Sequence, residues 1–443
     1  MKLRKKGLSR FTSLGIILLS FLVIILIGAV LLALPISHNN GNVSFIDAFM
    51  ISTSAVSVTG LSPITDISTT FNLFGKIVIA ILMEIGGLGL VTLVMFIAII
   101  LGFKISFGQR LIIKEALNQD AVGGIVQLLK KIVITAGLIQ LFGATLNFID
   151  LVFIHNYPII DAIGYSIFHA ISSFNNAGFD IFGKTSLMAF NNDYLLNIST
   201  MLMIIFGGIG FIVIFDILQK KNLKRLSLHS KIVLSMTAFL LVFGTILIKV
   251  LNWENVSWLE ASFLSVSART AGFYTFDLRS LSNASMLILI VLMFIGAAPA
   301  STGGGIKVTT FFTMISSVKM FAIGENDNHA FKRKIPPTLM VRAFILSVFA
   351  IVVIVVMTFF ILVFEGNTFK MHEVLFETFS AFSTVGLSLG ITSELTTGSK
   401  IVLCLLMYMG RLGPITFISL FNRNNTPASK GSVQYVEENI IIG

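Results

Sequence analysis

Four short turns carry the residue types that can hold a bare monovalent cation. Aligned on a glycine they read Val58-Thr59-Gly60-Leu61, Asn176-Ala177-Gly178-Phe179, Thr270-Ala271-Gly272-Phe273 and Thr384-Val385-Gly386-Leu387. Glycine takes up positive φ without a Cβ clash, so carbonyl oxygens of such a turn can face one axis. Four such turns around one axis give a ring of oxygens of the kind that replaces the hydration shell of K⁺. A lone glycine often does no more than let two helices approach closely. Four in register, separated by 118, 94 and 114 residues and flanked alike, describe an internal repeat.

The flanks say what must position these turns. Before each lies a short helix-like run with an acid near its start: Asp47, Asp161, Glu260 and Glu373, which precede their glycines by 13, 17, 12 and 13 residues. An acid there suits the positive end of a helix dipole. After each comes a second glycine patch, Gly86-Gly87, Gly207-Gly208, Gly296 and Gly410. Non-helical backbone at membrane depth survives only where it lines a wet cavity or is buried in protein.

That a membrane is the setting follows from composition. Of 443 residues 55% are hydrophobic and 12% are charged, against roughly 25% charged in an average soluble domain. Mean hydropathy is +0.94. Too little charge is present to cover a soluble surface, which excludes a soluble enzyme, a disordered chain and a nucleic-acid binder. The single Cys404 excludes a disulfide scaffold and a cysteine-based metal site.

Eight apolar runs are long enough to cross: about 12–34, 74–101, 131–154, 194–218, 231–251, 284–320, 340–363 and 400–421. The first follows a basic lead, and the spans behind it make it a retained helix rather than a signal peptide. Lys and Arg cluster in every second segment, from Lys2–Arg10 onward, so both termini are expected in the cytoplasm. The segments on the other side carry more carboxylates than basic residues, which would concentrate cations at a pore mouth.

At this point the sequence resembles the Trk/Ktr/HKT superfamily of potassium transporters, most closely the bacterial Ktr-type membrane subunit. The likeness runs from about residue 12 to 421 and rests on the four turns, together with Ile85-Gly86-Gly87-Leu88-Gly89 and Gly207-Gly208-Ile209-Gly210-Phe211. It implies an all-α polytopic membrane protein with four tandem helix–pore-loop–helix repeats, eight spans plus four re-entrant half-helices, around one central pore. The expected layout is a cytoplasmic N-terminus 1–11, repeat 1 over 12–104, a cytoplasmic linker 105–130 and repeat 2 over 131–220. Repeat 3 follows over 221–320, then a cytoplasmic linker 321–339, repeat 4 over 340–421 and a cytoplasmic tail 422–443. The selectivity filter would be Val58, Thr59, Gly60, Asn176, Ala177, Gly178, Thr270, Ala271, Gly272, Thr384, Val385 and Gly386, with K⁺ at Gly60, Gly178, Gly272 and Gly386. A homodimer in the bacterial cell membrane is implied, with a cytoplasmic RCK-type ring that binds ATP or ADP on the partner subunit. No covalent cofactor and no nucleic-acid partner is expected, and sodium is left open as a second ion.

The sixth run is broken at Pro299 and the glycines after it, too rich in small residues to stay a regular helix. The resemblance makes 296–307 an intramembrane gate loop under the filter, with Gly296, Pro299, Ser301, Thr302, Gly303, Gly304, Gly305 and Lys307 as its residues. Lys307 after three glycines lacks the Ser or Thr that a phosphate-binding loop places next. Arg411 interrupts the eighth run; it either snorkels to headgroups or, as the resemblance implies, faces the pore below the filter. Glu84 reads equally as a pore or a packing residue, and Asp216 as interfacial. Arg269 beside the third turn needs a carboxylate, Glu260 or Glu377. The six histidines, at 38, 155, 169, 229, 329 and 372, show no metal-ligand spacing.

The leading function is K⁺ uptake through a channel-like pore, with one glycine per turn predicting fewer strong sites and looser selectivity than a channel filter. An ion-coupled symporter with alternating access is the alternative, disfavoured by four parallel repeats in place of two inverted ones. A membrane enzyme would need a catalytic cluster that is not visible, and a pure scaffold would leave the four turns unexplained.

Overall fold

The computed structural model describes residues 13–39, 43–117, 123–414 and 417. The expected N-terminal segment 1–11 and tail 422–443 lie outside them, as does part of the linker 105–130. Among the described residues the chain forms seventeen α-helices and one small antiparallel hairpin, His329–Ala330 with Arg333–Lys334.

Four helix groups organise the chain. The first holds α1 (Ser13–Ala33), α2 (Phe45–Ser57), α3 (Ile67–Thr70), α4 (Leu73–Leu88), α5 (Leu90–Ile100) and α6 (Phe107–Ala116). The second holds α7 (Ile125–Ile149), α8 (Ile159–Phe174), α9 (Tyr194–Gly208) and α10 (Phe211–Lys220). The third holds α11 (Leu228–Leu251), α12 (Trp258–Ser267), α13 (Asn283–Phe294) and α14 (Val308–Ile323). The fourth holds α15 (Pro337–Glu365), α16 (Met371–Phe382) and α17 (Thr397–Leu412).

The groups close into a cycle. Within each, the long helix packs on both the short helix and the helix after the turn: α1 on α2 and α4, α7 on α8 and α9, α11 on α12 and α13, α15 on α16 and α17. Between groups the last of these packs on the next short helix, α4 on α8, α9 on α12, α13 on α16 and α17 on α2. Lys400 and Asp47, 2.7 Å apart, tie the final group to the first.

Local chemistry fixes the short helices. Ser44 caps α2 by accepting from the Asp47 N–H at 3.1 Å, and Ser257 with Glu260 forms a capping box at α12. Asp47, Asp161, Glu260 and Glu373 all lie in the first turns of their helices, where the sequence put them. Each helix ends in a buried turn, and the residue after the glycine of each turn is an apolar anchor. Leu61, Phe179, Phe273 and Leu387 are all at most 1% exposed, each worth about 1.5–3 kcal/mol of burial.

The eight apolar runs are not all straight helices. Four described helices are single, long and apolar enough to cross: Gly15–Ala33, Ile125–Ile154, Leu228–Leu251 and Pro337–Glu365. The second run breaks between α4 and α5 with a 98° bend, the fourth between α9 and α10 with a 93° bend. The hinges are Gly89 (φ 84, ψ 132) and Gly210 (φ 85, ψ 143), a backbone conformation that only glycine takes up readily. Gly413 ends α17 with nearly the same angles, φ 83 and ψ 144. In the third group α13 has only twelve residues, about 18 Å of helix against about 30 Å of hydrocarbon. There the break is the loop from Ile295 to Lys307, as Pro299 predicted.

Candidate functional site

The four turns meet. A Cβ placed on Gly60 would stand 2.7 Å from the Ala177 carbonyl and 3.0 Å from the Gly178 Cα. Gly178 in turn abuts Ala271 and Gly272, Gly272 abuts Val385 and Gly386, and Gly386 abuts Thr59 and Gly60. The four glycines thus form a closed ring with no room for a side chain. Their φ angles are 97°, 71°, 84° and 93°.

Two residues upstream, Val58, Asn176, Thr270 and Thr384 also carry positive φ, at 56°, 58°, 85° and 51°. For a β-branched residue that conformation is an outlier, and it occurs here at three of four equivalent places. The residue between, Thr59, Ala177, Ala271 or Val385, does not share it. Alternating the hand of successive residues turns successive carbonyls toward the same side, which is what a ring of cation ligands requires. The eight of these residues that are not glycine are fully buried. The C-terminal, negative ends of α2, α8, α12 and α16 run into the ring and favour a cation there.

Serines hold the turns in shape. Ser54 and Ser380 accept from the N–H groups of Gly60 and Gly386, each at 3.0 Å. In the third turn that position is Val266, and the Gly272 N–H bonds instead to the Ser267 carbonyl. The Asn176 amide lies 2.9 Å from the Thr270 hydroxyl and links the second turn to the third.

On one side the ring opens into a cavity of about 400 Å³. Residues two beyond each glycine, Ser62, Asp180, Tyr274 and Ser388, all line it, as do Lys184, Asp277 and Arg279. None of these stood out in the sequence, although equal distance from the ring glycines would have found the first four. Asp180 lies in the loop between α8 and α9. Burial raises its carboxyl to about 7, against the lowering by the Ser186 hydroxyl and the Phe182 N–H.

On the opposite side the Ile295–Lys307 loop abuts the residues upstream of the ring. Gly303 faces the Thr270 hydroxyl, and the Gly304 N–H donates to Thr384 Oγ1 at 3.0 Å. Gly305, at φ 68°, lies against Ser383. Thr302 donates from its hydroxyl to the Phe174 carbonyl and from its N–H to the Gly207 carbonyl, both at 3.2 Å. Ala298 bonds to the Gly208 carbonyl, and the Phe211 N–H to the Ala300 carbonyl. Pro299 presents its carbonyl 2.7 Å from where a Gly210 Cβ would be. Within the loop Ser301 donates to Ala298, Lys307 to the Gly303 carbonyl at 2.6 Å, and Gly296 to Ile306.

Arg411 closes the arrangement. Its guanidinium donates to the Thr302 carbonyl of the loop and to the Gly86 and Gly87 carbonyls, the last at 3.0 Å. Gly86 and Gly87 end α4, so their carbonyls are among those a helix leaves unpaired. Arg411 is therefore engaged with protein at the loop rather than snorkelling. Glu84 accepts from Asn175 at 2.6 Å and Gln140 at 2.8 Å. Asp216 pairs with Lys220 at the end of α10 and accepts from Ser227 and Ser230 at the start of α11. Arg269 departs from expectation: its guanidinium donates to the Gly296 carbonyl at 3.4 Å, while Glu260 caps α12 and Glu377 accepts from Ser388 and Thr392. A backbone oxygen has taken the place expected for a carboxylate.

The sequence matches the TrkH family profile, described as a cation transport protein, over residues 12–254 and 230–429. The chain belongs to the TrkH family. It is a membrane subunit of the Trk/Ktr superfamily, whose members are ion transporters and not enzymes. The Ktr system potassium uptake protein B of Bacillus subtilis is 37% identical over 98% of this chain and 97% of its own length. The potassium/sodium uptake protein NtpJ of Enterococcus hirae is 37% identical over 100% and 99%. Ktr system potassium uptake protein B of Vibrio alginolyticus is 38% identical over 97% and 94%. Among solved structures the potassium transporter TrkH from Vibrio parahaemolyticus superposes with a TM-score of 0.73 at 18% identity, over 94% of this chain and 86% of that one. That last likeness is one of fold.

Proposed function

We propose that this TrkH-family chain is a potassium uptake pore and that the glycine ring is its selectivity filter. The observation that carries the reading is the closed ring of Gly60, Gly178, Gly272 and Gly386, all at positive φ, between an open cavity and a loop. The names of the relatives from Bacillus, Enterococcus and Vibrio support K⁺ as cargo, and the Enterococcus name keeps Na⁺ as a second one. In this reading the four helix groups are four pore repeats, the cavity is the outer vestibule and both termini are cytoplasmic. Uptake would be driven by membrane potential, where 100 mV contributes about 2.3 kcal/mol per charge, some 50-fold accumulation.

The loop from Gly296 to Lys307 acts as the gate, with Arg411 as its latch. A cytoplasmic ring of nucleotide-binding subunits, carrying ATP or ADP, would move it, and the chain would work as a homodimer. The homodimer and the nucleotide-binding ring are implied by the family resemblance.

The test is uptake of K⁺ against Na⁺ in cells lacking their own potassium systems, comparing the native chain with Gly386→Ser. A side chain at φ 93° strains the backbone by about 1–2 kcal/mol and presses on Thr59 and Gly60 of the neighbouring turn. K⁺ preference should fall while the protein still reaches the membrane. A substituted chain with native preference would mean that Gly386 does not line the path, and the filter assignment would be wrong.

A further inference from the structure

Away from the ring, where α7 meets α9, three ligand-bearing side chains converge. Asp150 opens a single π-helical turn, Asp150–Ile154, that prolongs α7. A π turn brings residue i+5 back beside residue i, and the His155 N–H donates to the Asp150 carbonyl at 3.2 Å. Asp193 is the N-cap of α9, its Oδ1 accepting from the N–H groups of Leu195 and Leu196 at 2.9 and 3.1 Å. Its other oxygen, Oδ2, lies 2.6 Å from His155 Nε2. Asp150 Oδ2 lies 3.7 Å from that same nitrogen. One ligand atom from each of the three falls within 4.8 Å of the others.

Asp150 is the anomaly in this cluster. It is completely buried, and the polar groups that face its carboxylate are the Asp193 carboxyl and, 3.7 Å away, the His155 imidazole, with no backbone or hydroxyl donor on either oxygen. A buried carboxylate without donors is costly and calls for a proton or a cation. The donor set selects the cation. One imidazole nitrogen with two carboxylate oxygens suits Zn²⁺ and its neighbours, whereas Mg²⁺ and Ca²⁺ favour all-oxygen shells. The site is reachable, since the His155 side chain is 29% exposed and borders an open groove that also includes Asn191 and Asp193. The Phe190 ring, edge-on to the imidazole at 4.9 Å, holds it in place.

We propose that Asp150, His155 and Asp193 form a binding site for a divalent transition-metal ion of the Zn²⁺ class, separate from the cation path. Metal–ligand bonds of about 2.0–2.2 Å put tetrahedral ligand atoms roughly 3.3–3.6 Å apart. His155 and Asp193 would open slightly from 2.6 Å and Asp150 would close slightly from 3.7 Å, with water as the fourth ligand. The bound ion would fasten the end of α7 to the start of α9 and so brace the group that carries Asn176, Ala177 and Gly178. Spacing along the sequence hid the site, because Asp150 and His155 share a face only in a π turn and Asp193 is 38 residues further on.

The experiment uses the full chain in detergent, stripped with a chelator and then given Zn²⁺, Co²⁺ or Mg²⁺. The native protein should retain one equivalent of Zn²⁺ after desalting and gain thermal stability that EDTA reverses. With Co²⁺ it should show the visible d–d bands of low-coordinate cobalt. Asp150→Asn and, independently, His155→Gln should lose the equivalent, the bands and the stability gain while eluting as the native chain does. Equal retention in native and variant proteins would overturn the proposal, as would an equal response to Mg²⁺. A native chain that binds no Zn²⁺ and loses stability as pH rises would assign the place to a proton shared by Asp150 and Asp193, which also overturns it.

Discussion

Arg411 offers the sharpest test of how the loop is held. Its guanidinium joins the Thr302 carbonyl to the last carbonyls of α4, so one of its bonds secures the loop and the others secure its own position. A hydrogen bond to a charged group contributes about 1.5–3 kcal/mol. Removing the loop's share by Arg411→Gln should therefore shift the balance between held and released loop by roughly 10- to 150-fold, at about 1.4 kcal/mol per factor of ten. Rubidium tracer uptake into liposomes containing the full chain alone should rise by about tenfold or more. Arg411→Lys keeps the charge and loses the planar fork, and should fall between native and Gln variants. An Arg411→Gln protein of native stability with unchanged or slower flux would refute the latch. Raised flux in the Gln variant with native flux in the Lys variant would move the explanation from hydrogen bonding to repulsion of cations.

The cavity and the closure of the cycle give two further expectations. The Asp180 carboxyl, raised to about 7, is neutral below that pH and charged above it, so the cavity loses negative charge as pH falls. Uptake at subsaturating K⁺ should drop severalfold from pH 8 to pH 6, and Asp180→Asn should flatten the dependence; an equal slope in the variant would remove Asp180 as its cause. Lys400 and Asp47, 12% and 24% exposed, should show a coupling of about 1 kcal/mol in a thermal double-mutant cycle of Lys400→Met and Asp47→Asn, where additive effects would deny the link.

What could be read from the sequence was whatever recurs. Four glycines in register announced a shared backbone geometry, and the acids ahead of them marked helix starts that the structure reproduces. The broken third group was legible because Pro299 and three consecutive glycines cannot continue a helix. The bends at Gly89 and Gly210 were not, although both glycines were visible. Hydropathy counts apolar residues and is blind to direction, so a run that turns through 98° scores like a straight one. Arg269 was misread for another reason. Side-chain charges can be counted in a sequence, whereas the Gly296 carbonyl that receives its guanidinium belongs to a fold-dependent supply of backbone acceptors. Asp180 lies one residue beyond the stretch over which the four turns look alike, and Asp277 lies further on in a loop with no periodicity.

The anchoring of the Ile295–Lys307 loop has a consequence for how this protein can change over generations. The loop's described bonds run mainly to the carbonyls of Phe174, Gly207 and Gly208, and to its own backbone. Residues of many types could supply the Phe174 and Gly208 carbonyls, whereas Gly207 must stay glycine because a Cβ there would collide with the Phe174 carbonyl and the Thr302 hydroxyl. The side-chain bonds open to substitution are those of the Ser301, Thr302 and Thr384 hydroxyls, the Lys307 ammonium and the Arg269 and Arg411 guanidinium groups. Natural selection can therefore tune how tightly the loop is held through a handful of codons while the ring above it stays untouched. The hold on the loop and the geometry of the ring can then evolve almost independently within one chain.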